Sequence, residues 1–508
     1  MSNEYVTDVA YQRSFVDLSP STLSLVAALN GFPGPPAQGF DYCEMGSAHG
    51  DSISVLAAAN PSSRFVGVDL NRAHIEAARR LAAEGKLDNI RFIERDFEDL
   101  QKESTPDFDF VTAHGVLSWV GAAKRKALLD FAAAKLKPGG LLYVSYNALP
   151  GWAAVEPLRQ LLLIGAAGAK DDNAERARLG FALAKHMHDA GAIYFTGNPT
   201  AAAMLQKMEA LGLPYIAHEY LNASWTPMYF TQVAREMAER DLYFVGQLPL
   251  YLNYRDLALP PRMNQLFEGI RDRVTFETLK DFALNEFFRR DVFVKGRVGR
   301  DASTASSYLD TTAFGLLRNP PVEEVRLPHG TATFEGALFE ALFAALARRA
   351  ATAKALLALP ELEPFGAENV RGALLRAVVT ERAVPVSIQA RARRESPLRI
   401  SSEYNRTMLR DAPRSEIPLV LAAPALGTGM TVSQTEALVL RLLTEVPSSN
   451  WQSPEAWVED LLVRQSYRLN VGGRRVEDVK EGTRIIVDEM NRFRHNRLDR
   501  FIEYGILE

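Results

Sequence analysis

The chain has 508 residues, too many for one hydrophobic core, and its length suggests three or four domains. With 47% apolar residues, 24% charged residues and a net charge of -4, it reads as a soluble globular protein, and the whole-chain charge calls for neither nucleic acid nor a membrane surface. One cysteine, Cys43, excludes an internal disulfide. The N-terminal MSNEYVTDVAYQRSF lacks a signal peptide's apolar stretch, and no apolar run approaches the roughly 20 residues of a spanning helix, so no membrane insertion and a cytoplasmic location are expected.

Past a Pro/Gly-rich entry at 31–36, residues 40–45 read as a strand and 53–60 as the helix after it. Strand 64–70, helix 72–84, strand 90–96, strand 108–113 and helix 122–135 follow, and the turn Lys137-Pro-Gly-Gly140 leads into strand 141–146. Short apolar runs alternating with amphipathic helices predict an α/β unit with a parallel sheet covered on both faces. Residues 153–210 read as an insertion of two Ala/Leu-rich helices interrupted near 168–173, serving as a dimer contact or a substrate lid. The sheet is expected to resume at 215–221, followed by helix 230–240 and a last strand at 242–246. A helical segment from 259 leads to 287–294. Residues 334–359, stopped by Pro360, and 370–381 suggest a winged-helix-like unit before a basic linker at 389–394. The division is then 1–258, 259–400 and 401–508. Residues 461–508 hold ten Lys/Arg against eight Asp/Glu, a near balance that argues against a phosphate-binding face and for protein recognition and dimerisation.

In parallel sheets ligands sit at the carboxyl ends of the strands, near the switch in strand order. The first such end reads Glu44-x-Gly46-x-Ala48-x-Gly50. A dinucleotide site wants G-x-G-x-x-G, whereas here small residues recur every second position behind an acid. That spacing resembles motif I of the class I S-adenosylmethionine-dependent methyltransferases, with Ala48 in place of the middle glycine, tolerable if its φ is negative. The resemblance implies a Rossmann-like, seven-stranded methyltransferase domain with mostly helical accessory domains, and S-adenosylmethionine as cofactor. It implies that Asp69, with Leu70 beside it, accepts from the ribose hydroxyls, and that Asp96 and Phe97 meet the adenine. Asp69 could equally cap helix 72–84, and Asp96 could be a solvated acid among Glu94, Glu98 and Asp99.

The phrases His114-Gly-Val-Leu-Ser-Trp-Val120 and Ser145-Tyr-Asn-Ala-Leu-Pro-Gly-Trp152, with His218-Glu-Tyr-Leu-Asn222 and Asp241-Leu-Tyr-Phe-Val-Gly246, resemble bacterial methyltransferases that carry a methyltransferase regulatory domain, among them rickettsial protein-lysine methyltransferases. That implies a lysine-bearing protein substrate and allows a homodimer. Tyr146 and Asn147 would orient the acceptor and Trp119 and Trp152 would wall it, while His114 would touch the cofactor through its carbonyl or accept a proton. The aromatic residues could instead pack the sheet edge, and Tyr146 could cap a strand. Tyr5 and Tyr11 fall where related enzymes fold a lid, or pack in the core. No Asn/Asp-Pro-Pro-Tyr/Phe follows the fourth strand, which lowers nucleic-acid bases and glutamine amides as acceptors. No metal site is expected, since His186 and His188 point about 200° apart on a helix. A small-molecule or short-peptide methyltransferase and a non-catalytic S-adenosylmethionine-binding regulator are the competing functions.

Overall fold

The computed structural model describes residues 16–169, 172–318, 324–387, 398–411, 418–446, 451, 453–464, 469–471 and 474–508. Tyr5, Tyr11 and the basic linker 389–394 lie outside the described residues.

The sheet has seven strands: β1 (Asp41–Met45), β2 (Arg64–Asp69), β3 (Ile90–Glu94), β4 (Phe108–Ala113), β5 (Leu136–Asn147), β6 (Leu242–Gln247) and β7 (Phe288–Lys295), in the order β3-β2-β1-β4-β5-β7-β6. β1 to β5 run parallel, and β7 lies antiparallel between β5 and β6. The order reverses between β1 and β4, which places the crevice at their carboxyl ends. Period-two alternation splits the side chains between two layers. Tyr42, Phe65, Phe110 and Tyr143 face α1 (Pro20–Leu29), α2 (Asp51–Ala59) and α3 (Arg72–Glu84). Cys43, Val111, Val144 and Tyr146 face α4 (Ala122–Lys135) and, beyond the insertion, the helix at 230–238.

Two expectations are corrected. Residues 215–221 are not a strand. The insertion consists of α5 (Glu156–Ala166), α6 (Asn173–Asp189), α7 (Ile193–Thr196) and α8 (Pro199–Tyr220), followed by α9 (Phe230–Ala238). Gly212, at φ 81, kinks α8, and Pro214 restarts the turn, where its missing N–H costs nothing. The β-forming tyrosines and isoleucine of 215–221 are recruited into the helical core around Trp152 instead. The slot beside β5 is filled by residues 288–295, past the boundary set at 258, after α10 (Arg255–Ala258), α11 (Pro261–Leu266) and α12 (Arg273–Leu284).

Beyond β7 the chain forms helices at 337–348, 353–357 and 367–379, with strand Ala383–Val386 paired antiparallel to Ala313–Leu316. These share one continuous core with the α1–α3 layer, so the accessory unit is packed onto the methyltransferase-like sheet and not tethered beside it. The described residues of 398–507 build a second core around the helices at 434–445 and 479–496.

β7 is fixed by a buried ionic cluster. Arg289, fully buried, holds Asp291 through Nε at 3.0 Å, Asp281 through Nη1 and Glu277 through Nη2 at 3.2 Å. Lys280 Nζ lies 2.6 Å from Glu277, and the guanidinium lies over the Phe230 ring at 4.1 Å. Removing one partner leaves charges without solvation, which costs more than the pair contributes. Arg289→Ala is expected to destabilise the fold by about 3–5 kcal/mol, read as a lowered midpoint in urea unfolding, with a smaller loss for Arg289→Lys.

Candidate active site

The turn after β1 is built around three positive φ angles: Gly46 at 79°, Ala48 at 46° and Gly50 at 78°. A Cβ on Gly46 would sit 2.7 Å from Val116 Cγ2, and one on Gly50 2.8 Å from Ala78 Cβ, so both positions need glycine for space as well as conformation. Ala48 departs from the expected negative φ. Its left-handed backbone costs about 1–2 kcal/mol, offset because this geometry turns its N–H to Asp69 Oδ2 at 2.9 Å.

Asp69, at the end of β2, therefore holds the turn. Its other oxygen accepts from the Asn71 N–H at 2.8 Å and lies 3.4 Å from His74 Nδ1. The N-cap of α3 is Asn71, whose side chain accepts from the Ala73 N–H, so Asp69 is not the helix cap. The His49 and His74 rings pack at 4.3 Å against this corner, and burial and the neighbouring imidazole hold His49 below the usual histidine range. Leu70 stands 57% exposed beside Asp69, an apolar surface open to a planar ring.

Glu44 lies beneath the turn, 5% exposed, with Oε2 lacking a hydrogen-bond partner among the described residues. Burial, with Asp51 and Asp69 nearby, pushes its carboxyl up to about 8, and burial pushes Asp51 up to about 6. Ser47 Oγ is also buried without a partner. An orphaned acid under a glycine-permissive turn fits a ligand that brings a cation and hydrogen-bond donors; it does not fit a pyrophosphate. S-adenosylmethionine, with its sulfonium and ammonium, matches that donor set.

Two residues past β3, Asp96 takes Lys124 Nζ of α4 on Oδ2 at 2.7 Å, and its Oδ1 lies 3.3 Å from the Glu98 N–H. It is thus an ion-paired group, not a freely solvated acid. Phe97 packs half-buried against the α4 layer. Strands β1, β2 and β3 are neighbours, so positions 44, 69 and 96 share one edge of the sheet.

At the end of β4, His114 Nδ1 lies 2.9 Å from the Tyr143 hydroxyl and 3.2 Å from Ser145 Oγ, and its ring is stacked on Tyr143 and edge-on to Phe288. Burial and the Arg290 guanidinium hold the imidazole down to about 3, so at neutral pH it is a neutral hydrogen-bonding group and a weak base. Tyr143 and Ser145 were missed in the sequence although strand parity finds them: they share His114's face. Arg290 and its ion-pair partner Asp17 carried no signal, because 287–294 was not read as a strand.

Parity also corrects Tyr146. Its side chain faces the α4 layer, fully buried, and donates its hydroxyl to Asp291 Oδ2 at 2.7 Å, so it does not orient an acceptor. Trp152 anchors the insertion: its indole N–H donates to the Phe287 carbonyl at 2.8 Å and its ring packs against Tyr220 and Trp225. Asn147 and Trp119 remain near the β4 and β5 ends, linked by the Asn147 N–H donating to Ser118 Oγ at 2.8 Å. Asn147 Nδ2 and Trp119 Nε1 are both buried without partners among the described residues, donors available to a bound molecule.

Glu44 gives a pH test with a definite sign. Because its folded-state carboxyl is raised, the protonated form contributes stability that is complete below the ordinary carboxylate range and is lost as pH rises through about 8. A bound cation must expel that proton. Affinity for S-adenosylmethionine is expected to strengthen between pH 6 and 8, by up to about tenfold per unit, with proton release in calorimetry across buffers of different ionisation enthalpy. Glu44→Gln should flatten the slope; a wild-type affinity independent of pH would show that no cation meets this acid.

Residues 43–142 match the family model described as a methyltransferase domain, and residues 213–295 match the predicted methyltransferase regulatory domain. A Synechocystis protein, the uncharacterized sll1526, is 29% identical over 509 residues, 99% of each chain. A tRNA (guanine-N(7)-)-methyltransferase of Chloroflexus aurantiacus is 35% identical over 124 residues, 22% of this chain and 55% of that one. The structure of PKMT2 from Rickettsia typhi in complex with AdoHcy has the same fold, with a TM-score of 0.74 over 98% of this chain and 100% of that chain at 19% identity. The chain carries a methyltransferase domain of the class I, S-adenosylmethionine-dependent kind, joined to a methyltransferase regulatory domain.

Proposed function

We propose that the chain transfers methyl groups to lysine side chains of proteins. The observation that carries this reading is the likeness to PKMT2, which runs through the accessory units as well as the cofactor domain. The likeness to the tRNA methyltransferase covers 22% of the chain and none of the acceptor-specific units is implied by it.

In this reading Gly46, Ala48 and Gly50 wrap the methionine end above Glu44, Asp69 and Leu70 take the ribose side, and Asp96 and Phe97 take the adenine side. When bound, S-adenosylmethionine supplies a methyl group on a sulfonium, open to in-line attack. The residues at the β4 and β5 ends then position the nucleophile: His114, Tyr143 and Ser145 on one wall, Asn147 and Trp119 on the other. A neutral amine needs no base in the transition state, so the low basicity of His114 is compatible with the chemistry, and placement does the work. The ammonium's proton leaves to solvent before attack.

Two experiments test this. Labelled S-adenosylmethionine incubated with the protein and a heat-treated bacterial extract is expected to mark protein, and acid hydrolysis to yield N-methyllysines. Label confined to small molecules would move the reading to a small-molecule enzyme, and tight binding without turnover to a regulator. Asp69→Ala is expected to weaken cofactor binding by about 1–3 kcal/mol through lost charge-assisted hydrogen bonds, measured by calorimetry.

A further inference from the structure

The first turn of α4 runs against its own dipole. The amino-terminal end of a helix is positive and favours acids, yet α4 opens Ala122-Ala-Lys-Arg125, with no acid in the turn and Gly121 at the cap. Each cation is taken by a carboxylate from another element. Arg125 Nε lies 3.3 Å from Glu236 Oε2 of the neighbouring α9, and Lys124 Nζ lies 2.7 Å from Asp96 Oδ2. The second pair spans the greater distance in the fold. Asp96 follows β3, the edge strand, whereas α4 follows β4, and β2 and β1 stand between them in the sheet.

An acid that reads the amine edge of a purine has to be ionised, held in one orientation and left with an oxygen able to accept. Lys124 serves all three needs. Glu94, Glu98 and Asp99 crowd Asp96 with like charge along the chain, and the ammonium opposes them. Both side chains of the pair are 23% exposed, which shields it from most of the solvent. The ammonium engages Oδ2. Oδ1 accepts from the Glu98 N–H at 3.3 Å, and a carboxylate oxygen has room for a second donor. Phe97, the next residue, packs on the α4 layer too, so residues 96 and 97 are both anchored on that side.

We propose that Lys124 is a positioning residue for the cofactor: it fixes the Asp96 carboxylate as acceptor for the exocyclic amine of the adenine, and so sets a preference for adenine over an oxo-purine. The place of the adenine at Asp96 rests on the function proposed above; the ion pair does not.

The test is calorimetric binding to the full chain of S-adenosylhomocysteine and of S-inosylhomocysteine, in which a carbonyl oxygen that a carboxylate repels replaces the amine. Wild type is expected to prefer the adenine ligand by about a hundredfold. Lys124→Met should cut that preference about tenfold by weakening the adenine ligand, and Lys124→Arg should keep most of it. Asp96→Asn should abolish the preference, and adding Lys124→Met to it should change nothing more. The control Lys126→Met breaks a pair with Asp130 on the same helix and should leave both affinities as they are. A merely structural lysine would weaken both ligands alike, so a wild-type ratio in Lys124→Met overturns the proposal. If the ratio falls in Asp96→Asn alone, the adenine assignment stands and the positioning role fails; if Asp96→Asn leaves the ratio unchanged, both are overturned.

Discussion

A carboxyl group sealed beneath a backbone turn, with one oxygen unpartnered, can stay neutral or wait for a cation. Glu44 is in that position, and the rest of the site is arranged around it. Its strand is buried on both faces, so the acid cannot swing to water. Asp51 and Asp69 close off relief by adding negative charge, and the described turn supplies small side chains and no lysine or arginine between 45 and 50. A sulfonium or ammonium brought by a ligand relieves this arrangement; a phosphate would worsen it. That sign is what separates this turn from the dinucleotide turns it superficially resembles.

Asp69 turns the electrostatic preference into shape. By accepting from the Ala48 and Asn71 N–H groups it joins the turn after β1 to the end of β2, and it holds Ala48 in a conformation the residue would otherwise leave. Its two oxygens are engaged by the protein before any ligand arrives. A ribose hydroxyl would share their remaining lone pairs, so the site is organised in advance, and little reorganisation accompanies binding. On the far side of the crevice β7 performs the comparable service. It is locked by Arg289, and the next residue, Arg290, lies beside His114.

Most of the sheet was legible because its strands are apolar runs punctuated by glycine, proline and acids; helix 72–84, strand 108–113 and helix 122–135 agree to the residue. The misplacement of the last strands has two causes. Phe-Arg-Arg-Asp-Val-Phe-Val at 288–294 interrupts its apolar pattern with charges that are satisfied by one another, by α12, by Asp17 and by the Tyr146 hydroxyl, a tertiary fact invisible to periodicity. Tyr215–Tyr220 has strand-like composition but is captured by helical packing around Trp152. At the candidate site, motif spacing singled out Glu44, Asp69 and Asp96, which the fold brings to one edge of the sheet. Tyr146 and Trp152 were not separable from acceptor residues, because an aromatic residue after a strand looks the same whether it lines a cleft or fills a core. Strand parity would have favoured Tyr143 and Ser145 over Tyr146.

The accessory unit shares a core with the α1–α3 layer, so segments far apart in sequence support the sheet that carries the candidate site. The central claim is that the ends of β1, β2 and β3 receive one cationic nucleoside. A crystal structure of the protein soaked with sinefungin, which replaces the sulfonium methyl with a charged amine, tests it most directly. The account predicts density with the amino-acid end over Gly46–Gly50, the ribose hydroxyls on Asp69 and the amine directed toward His114 and Asn147. Ordered ligand elsewhere, or an empty crevice at saturating concentration with the turn unchanged, would contradict it.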